Sequence, residues 1–245
     1  MCNGEKIRVQ RSVRVRTDAA KLKKRAAYEA VKFVKSGMTV GLGHGSTAFF
    51  AVLRIAELIR SGALKKIRGV PCSWMVHEEA RKLGIPLTTL NRNPVVDLTI
   101  DGADEVDKHL NLIKGGGAAL LKEKIVAQAS LREIIIVDES KMSPMLGTHF
   151  AVPIEVVPFG WQAHIPFLEK LGSKVKVRRK TNGTLFKTER GNIILDANFG
   201  PIMNPAQLAA DLERRAGIVE HGLFIGLASD VIVAGKDGLR HLTRK

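Results

Sequence analysis

Carboxylates and a lysine surround a glycine-rich stretch near the middle of the chain. Asp101 and Asp104 follow the apolar run VVDLTI, Lys114 directly precedes the glycines at 115–117, and Glu123 follows in the segment LKEK. A carboxylate base beside an ammonium group suits removal of a proton next to a carbonyl. The base takes the carbon-bound proton while the cation stabilises the enediolate oxygen. These residue types therefore permit proton-transfer chemistry on a carbonyl compound.

The same residues also have interpretations that involve no chemistry. Asp104 suits the start of a loop, where aspartate is common, and spacing alone favours a solvent-exposed position for Glu123. The three glycines at 115–117 are harder to explain in this way, because glycine costs backbone entropy. We expect them to allow a ligand to approach the backbone closely.

A second glycine-rich stretch, GLGHGST at 41–47, lies between a predicted strand and a predicted helix. Amides at the start of such a helix point towards an anion, and Ser46 and Thr47 add hydroxyl donors. The glycine spacing matches neither the dinucleotide-binding fingerprint nor the P-loop. From the residues, two interpretations remain open: a phosphate site, or a tight turn in which Ser46 caps the helix.

Strand and helix patterns alternate from residue 17 to residue 150. The segment TDAAKLKK predicts a helix capped by Thr17 or Asp18, and REIIIVD has the continuously apolar character of a parallel strand. This alternation predicts an α/β fold with a doubly wound, mostly parallel sheet and helices on both faces. Ligands of such sheets bind beyond the carboxyl ends of the strands, where we expect Asp101 and Asp104.

The pattern changes after Phe150, where prolines and alternating apolar and polar residues are typical of antiparallel strands. We expect residues 151–221 to form a smaller α+β domain, inserted before C-terminal strands that return to the first sheet. The α/β catalytic domain would comprise residues 17–150 and 222–245. Residues 1–16 carry five basic side chains and one acidic one, and predict a flexible N-terminal extension.

Composition narrows the classes of function. The chain has 245 residues and a formal net charge of +15, with basic segments at 1–16 and near residue 180. Neither segment interleaves aromatic residues, so we favour solvated surfaces over a nucleic-acid-binding site. No apolar stretch has the length of a membrane span, and two cysteines are too few for a disulfide framework, which predicts a cytoplasmic protein. None of the seven histidines forms a metal-binding pair at helical spacing.

Four motifs, in this order and spacing, resemble those of ribose-5-phosphate isomerase of type A: VGLGHGSTA, DGADEVD, KGGGAALLKEKIVA and DESK. The segments VPIEVVPFGW and GNIILDANF resemble the second domain of that family, and the resemblance extends from Thr17 to the end of the chain. It implies interconversion of ribose 5-phosphate and ribulose 5-phosphate in the non-oxidative pentose phosphate pathway, without a metal or other cofactor. It also implies a homodimer or homotetramer.

The resemblance assigns roles to individual residues. Glu123 would move the proton between C1 and C2, Asp101 would assist ring opening, and Asp104 and Lys114 would hold and polarise the sugar oxygens. The phosphate would contact Ser46, Thr47, Lys141 of DESK and Lys23 of the first helix. The full set of implied substrate-binding residues is Lys23, His44, Gly45, Ser46, Thr47, Gly102, Ala103, Gly115, Gly116, Gly117 and Lys141. His44 departs from the threonine usual in the family, which predicts altered substrate contact or pH dependence with activity retained.

Other classes of function fit the sequence less well. A non-catalytic sugar-phosphate sensor is the main alternative, but it would give Glu123 and Lys114 no required role. An amino-sugar phosphate isomerase and a coenzyme A transferase are related by fold, and the pair DGADE and KGGGAAL argues against both. Nucleic-acid binding through the basic segments would be at most a side activity.

Overall fold

The computed structural model describes residues 4–244, with side chains from Asp18 to Arg244. Within these residues the α-helices are α1 (Gly4–Val31), α2 (Ser46–Arg60), α3 (Trp74–Lys82), α4 (Leu120–Gln128), α5 (His164–Lys170) and α6 (Pro205–Glu213). The strands are β1 (Thr39–Leu42), β2 (Arg68–Pro71), β3 (Leu98–Asp101), β4 (Glu105–Val106), β5 (Leu112–Ile113), β6 (Glu133–Asp138), β7 (Val152–Val156), β8 (Lys174–Val177), β9 (Ile193–Asn198), β10 (Ile218–His221), β11 (Leu223–Phe224), β12 (Asp230–Gly235) and β13 (Gly238–Thr243).

A six-stranded sheet forms the centre of the larger unit, in the order β13-β12-β6-β3-β1-β2. All of its neighbouring strands pair in parallel except β12 and β13, which form an antiparallel hairpin. The sheet is buried on both faces, so alternate residues of β6 enter different cores. Ile134 and Ile136 pack with α1 and α2, whereas Ile135 and Val137 pack on the opposite face, which carries α4. This is the predicted doubly wound α/β fold with helices on both faces.

A second, antiparallel sheet follows in the chain, in the order β10-β7-β9-β8. Helices α5 and α6 contribute Leu168 and Leu212 to its core, which makes this unit the predicted α+β subdomain. The chain then returns to the central sheet through β12. Strand β11 instead joins a small antiparallel sheet with β5 and β4. We propose that the domain boundaries follow these sheets, with residues 151–221 as the inserted unit.

Helix α1 begins at Gly4, so the predicted start at Thr17 or Asp18 is wrong. The segment from 5 to 16 contains neither glycine nor proline, and its arginines are good helix formers, so nothing local ends the helix there. Residues 1–3 of the predicted N-terminal extension lie outside the described residues. That residues 1–16 form a unit separate from the catalytic domain stays a prediction.

Candidate active site

Loops that follow three adjacent parallel strands converge at one edge of the central sheet. They come after β1, β3 and β6, and each contributes side chains to a cleft of about 160 Å³. The cleft is lined by Lys23, His44, Gly45, Ser46, Thr47, Gly102, Ala103, Asp104, Lys114, Gly115, Gly116, Gly117, Glu123 and Lys141. These are all of the residues that the sequence singled out except Asp101. The structure therefore brings together residues that are up to 118 positions apart in the sequence.

Lys114 is the centre of a buried charge cluster beside the cleft. Its ammonium group lies 3.0 Å from Asp101 Oδ2 and 3.1 Å from Glu123 Oε1, and it donates a hydrogen bond of 2.6 Å to the carbonyl of Gly102. The three charged side chains are 1–5% exposed. A lysine with three such acceptors is held in one position, with two negative charges close to its single positive charge.

Asp101 supports this cluster from the end of β3. Its Oδ1 accepts hydrogen bonds from the backbone amides of His44, at 3.0 Å, and Gly102, at 2.7 Å, while Oδ2 contacts Lys114. Both oxygens are thus engaged, and the side chain is 1% exposed and outside the cleft lining. The contacts of Asp101 do not support the direct part in ring opening that the resemblance implies.

Burial and neighbouring charge set the ionisation of the cluster. Burial alone would lower the pKa of Lys114, but the charges of Asp101 and Glu123 raise it above its usual value, so Lys114 stays protonated. For Glu123 burial is the largest influence and raises the pKa to about 7, although Lys114 acts in the opposite direction. A carboxyl group with a pKa near neutrality is suited to take up and return a proton at neutral pH.

Glu123 is in the first turn of α4 and has one free oxygen. Lys114 holds Oε1, whereas buried Oε2 has no hydrogen-bond partner within the described residues. A buried polar atom that lacks a partner is costly and is often explained by function. Since Glu123 lines the cleft, Oε2 is available to a ligand bound there.

The glycines at 115–117 allow close contacts that larger residues would block. The amide of Gly116 donates to Asp104 Oδ2 at 2.7 Å, and a Cβ atom at Gly116 would lie 2.8 Å from Asp104 Oδ1. A Cβ atom at Gly117 would lie 2.5 Å from His44 Nε2. Gly115 has a φ of 102°, which disfavours residues with a side chain. The turn therefore brings backbone amides directly to the side chains of the cleft.

His44 lines the cleft and contacts the N-terminal cap of α3. Its Nδ1 lies 2.9 Å from Ser73 Oγ, which also accepts the amide of Val76 as the N-cap of α3. Burial lowers the pKa of His44, with the negative charge of Asp101 opposing. The imidazole is therefore neutral at neutral pH, and a charge change at His44 is expected only in acid.

The cleft also presents hydroxyl and ammonium groups beside the start of α2. Ser46 is the first residue of that helix, and the N-cap is Gly45, which has no side-chain capping bond. The interpretation of Ser46 as a cap is therefore wrong. Instead, Ser46 Oγ accepts a hydrogen bond of 3.0 Å from Lys23 Nζ, and Thr47 and Lys141 line the same cleft. Such donors at a helix N-terminus suit an anion.

Three residues near the site were missed by the sequence analysis. Ser73 supports His44, and its position before a predicted helix was a capping signal. The prediction of a solvated surface near residue 180 is wrong for Arg178, because its guanidinium contacts the glycine turn. Glu133 begins β6 in an apolar run and carries no signal that distinguishes it from a surface residue.

Glu133 is a buried carboxyl group without a partner. It is 2% exposed, and neither side-chain oxygen has a hydrogen-bond partner within the described part of the chain. Burial raises its pKa to about 8, with the charge of Lys114 opposing, so Glu133 is mostly neutral at pH 7. A neutral carboxyl group is less costly to bury than a carboxylate, which explains how the core accommodates it.

We expect Glu133→Gln to raise the melting temperature more at about pH 9 than at about pH 6. The folded state holds the proton more tightly than the unfolded chain, so the stability contributed by the protonated carboxyl group is lost as the pH rises from the usual glutamate pKa of 4.5 through about 8. Glutamine does not ionise. Each pKa unit is worth about 1.4 kcal/mol, which predicts an increase of at least about 3 °C. Thermal denaturation of both proteins at both pH values tests this, and equal effects at the two pH values would contradict it.

Within the residues that the structure describes, no group of three or more His, Cys, Asp or Glu side chains is placed to hold a metal ion. None of the described helices has the length and apolar character needed to cross a bilayer.

Comparison with known proteins gives consistent matches. The family model described as ribose 5-phosphate isomerase A (phosphoriboisomerase A) matches residues 68–238. Ribose-5-phosphate isomerase A of Chloroflexus aurantiacus is 59% identical over 218 residues, which cover 89% of this chain and 91% of the relative. Its counterpart from Desulfatibacillum aliphaticivorans is 57% identical over 221 residues, or 90% of this chain and 96% of the relative.

Solved structures match over the whole fold. A D-ribose-5-phosphate isomerase in complex with phospho-erythronic acid has a TM-score of 0.90 and 39% identity, covering 91% of this chain and 98% of that structure. Ribose 5-phosphate isomerase from Plasmodium falciparum has a TM-score of 0.89 and 43% identity, covering 92% and 99%. The family model spans most of the chain and the relatives cover nearly all of it. The chain therefore belongs to the ribose 5-phosphate isomerase A family.

Proposed function

We propose that the chain interconverts D-ribose 5-phosphate and D-ribulose 5-phosphate through an enediolate, with Glu123 as the base. The observation that carries this proposal is the side chain of Glu123, which lines the cleft: Lys114 holds Oε1, and buried Oε2 lacks a partner within the described residues. This oxygen takes the proton from C2 of the aldose and returns it to C1. Because one carboxylate performs both transfers, its pKa near 7 suits both directions.

Lys114 and the glycine turn stabilise the negative charge that forms on the sugar oxygen. The ammonium group is fixed by Asp101, Glu123 and the Gly102 carbonyl, so it needs no reorganisation when the charge develops. We assign Asp101 a positioning role, since both of its oxygens are engaged by the protein. Asp104 lines the cleft and is placed to bind a sugar hydroxyl group.

The phosphate group is assigned to the start of α2. The cleft lining contains two ammonium groups and two hydroxyl groups that suit a phosphate, those of Lys23, Lys141, Ser46 and Thr47. The amides at the N-terminus of α2 add a favourable dipole. With the phosphate bound there, the sugar carbons would extend towards Glu123, which lines the same cleft.

A non-catalytic sugar-phosphate sensor is not favoured. A sensor has no need for a buried carboxylate with a pKa raised to about 7 beside a lysine. The relatives with the highest identities reported above are named as isomerases, and they match over at least 89% of this chain.

The direct test adds ribose 5-phosphate to protein treated with a chelator and follows the appearance of the ketose. We expect formation of ribulose 5-phosphate with and without chelator, and little turnover of ribose, which lacks the phosphate. Absence of the ketose would refute the isomerase function. Loss of activity in chelator, with recovery on adding a divalent ion, would refute the mechanism through Glu123 and Lys114 alone.

The pH dependence gives a second test. Glu123 must be ionised to accept the proton, so we expect kcat at saturating substrate to rise with pH and to reach half of its plateau near pH 7. Saturation matters because the free substrate phosphate itself titrates near pH 6. A profile that is flat from about pH 6 to about pH 8 would mean that the base has an ordinary carboxyl pKa.

We also propose that the enzyme is a cytoplasmic homodimer or homotetramer. Exposed apolar side chains support self-association, among them Trp74 at 61%, Met75 at 51% and Ile125 at 45% exposure. The chain has two cysteines, too few for a disulfide framework, and Cys72 is a buried free thiol, which supports a reducing compartment. Sedimentation equilibrium measures the subunit number directly, and a monomer at all concentrations would contradict the proposal.

A further inference from the structure

The glycine turn of the active site has a backbone that must be held from outside. Gly115 has a φ of 102° and Ala118 a φ of 58°, and the second value is unfavourable for a residue with a side chain. Such conformations persist only where the surrounding structure determines them. Gly115, Gly116 and Gly117 also line the cleft, so the conformation of the turn decides where the amides of Gly116 and Gly117 point.

Arg178 contacts this turn from the small antiparallel unit. It follows β8, and its Nη1 donates hydrogen bonds to the carbonyls of Gly115, at 2.9 Å, and Gly116, at 3.1 Å. Its Nε donates to Asp196 Oδ2 at 2.9 Å, and Nη2 donates to Asp196 Oδ1. The paired carboxylate fixes the plane of the guanidinium and balances its charge. Arg178 therefore acts as a rigid donor to the backbone and is not an attractor for the substrate phosphate.

The geometry of the peptide unit links these bonds to the cleft. The carbonyl of Gly115 and the amide of Gly116 belong to one planar trans peptide, so they point in opposite directions. Arg178 binds the carbonyl side of this peptide, and Asp104 binds its amide side at 2.7 Å. The next peptide unit behaves in the same way. Arg178 binds the carbonyl of Gly116, so the amide of Gly117, which belongs to the same peptide, points away from Arg178 and towards the side of the turn on which Asp104 lies.

The small antiparallel unit also packs against the glycine turn through apolar side chains. Ile194 of β9 is fully buried in one cluster with Ala118 and Leu120, at the start of α4. The backbone of Arg178 is held by the carbonyl of Ile194 and by the amide of Phe186. The backbone of Arg178 is therefore held by its own sheet, and from it the guanidinium reaches the glycine turn.

We propose that Arg178 is a positioning residue for the isomerisation, through which the small antiparallel unit holds the glycine turn in its substrate-binding conformation. This inference rests on the proposed function. It gives the inserted unit a direct part in the active site, although Arg178 lies outside the cleft lining and does not contact the substrate.

The test compares Arg178→Ala and Arg178→Lys with Arg179→Ala, measured by steady-state kinetics on ribose 5-phosphate. Arg179 is the matched control, because it is adjacent and exposed and its Nη1 contacts the carbonyl of Gly183 in a surface turn. We expect kcat/KM to fall about 10²-fold in Arg178→Ala, since small displacements of a site have effects of that size. Arg179→Ala should remain close to wild type. Lysine should restore only part of the loss, because an ammonium group has three donors, whereas the guanidinium of Arg178 makes four hydrogen bonds from a planar fork.

Rescue by guanidinium added to the assay distinguishes loss of a positioning contact from a general loss of structure in Arg178→Ala. At millimolar concentration guanidinium should increase the activity of Arg178→Ala by occupying the vacated position, and it should not increase that of wild type or of Arg179→Ala. Wild-type activity in Arg178→Lys, or a folded Arg178→Ala variant with a loss that guanidinium does not reverse, would overturn the inference. An inactive wild-type protein would instead refute the proposed function, so the two failures are distinguishable.

Discussion

Lys114→Met is expected to reduce kcat by about 10²–10³-fold, the usual effect of removing one preorganised donor to a developing oxyanion. Methionine has a similar length but no charge, so the enediolate oxygen loses the ammonium group that stabilises it. The negative charge is largest in the transition state, and the Michaelis constant should therefore change much less than kcat. Steady-state kinetics on ribose 5-phosphate measure both quantities.

The same substitution leaves Asp101 and Glu123 buried together without their counter-charge. Removing one partner of a buried ion pair typically costs about 3–5 kcal/mol of stability. Glu123 can relieve part of this by taking up a proton, so the loss in melting temperature should be larger at about pH 8 than at about pH 6. This difference separates the electrostatic effect from a simple packing defect.

Lys114→Arg is the matched control for charge. Arginine keeps the positive charge but places it in a planar fork, and lysine here fits three acceptors between 2.6 and 3.1 Å away. We expect arginine to restore most of the stability and only part of kcat. If Lys114→Met raised only the Michaelis constant, the lysine would stabilise the bound substrate and the transition state equally. Another residue would then have to stabilise the enediolate.

Glu123→Gln is expected to reduce kcat by about 10²–10⁴-fold, the range typical of a positioned acid-base group. Glutamine has nearly the same shape, and its amide oxygen can still accept a hydrogen bond from Lys114, but it does not take a proton from carbon. Binding of ribose 5-phosphate, measured by calorimetry, should remain close to that of wild type because the phosphate contacts are unchanged.

Glu133→Gln is the control for this experiment. It makes the same chemical change at another buried carboxyl group, one that does not line the cleft and is mostly neutral at pH 7. Its kcat should remain close to wild type. Near-normal turnover in Glu123→Gln would mean that another residue is the base, and Asp104, which also lines the cleft, would be the next candidate.

Much of the fold and of the cleft was predictable because the signals are local. Strand β6, with its run of apolar residues, reads as a buried parallel strand, and Asn204 with Pro205 marks the start of α6, where the cap and first residue are found. The glycine-rich stretch at 41–47 includes the end of β1, and the stretch at 115–117 lies in the connection between β3 and α4. The doubly wound topology places both connections at one edge of the central sheet. Resemblance to a family then gave the individual residues their roles.

The position of Glu123 was decided only by the tertiary structure. Helix α4 turns Glu123 and Lys124 inwards together with Leu120 and Ala127, while Ile125 is 45% exposed. Polar residues on the buried face and an apolar residue on the exposed face obscure the periodicity by which a sequence indicates its core. Spacing therefore favoured a surface position for a residue that is 5% exposed, and the raised pKa follows from that burial.

Arg178 is a second residue whose position could not be predicted from the sequence. It lies in a basic stretch in which Lys174 and Lys176 are exposed, and composition alone predicts that Arg178 is exposed as well. Its inward direction depends on Asp196, eighteen residues later, and on two carbonyls more than sixty residues earlier. Local propensity determines which segments form strands and helices in this protein. Contacts between distant segments decide which charged side chains are removed from water, and thereby which of them can take part in the chemistry.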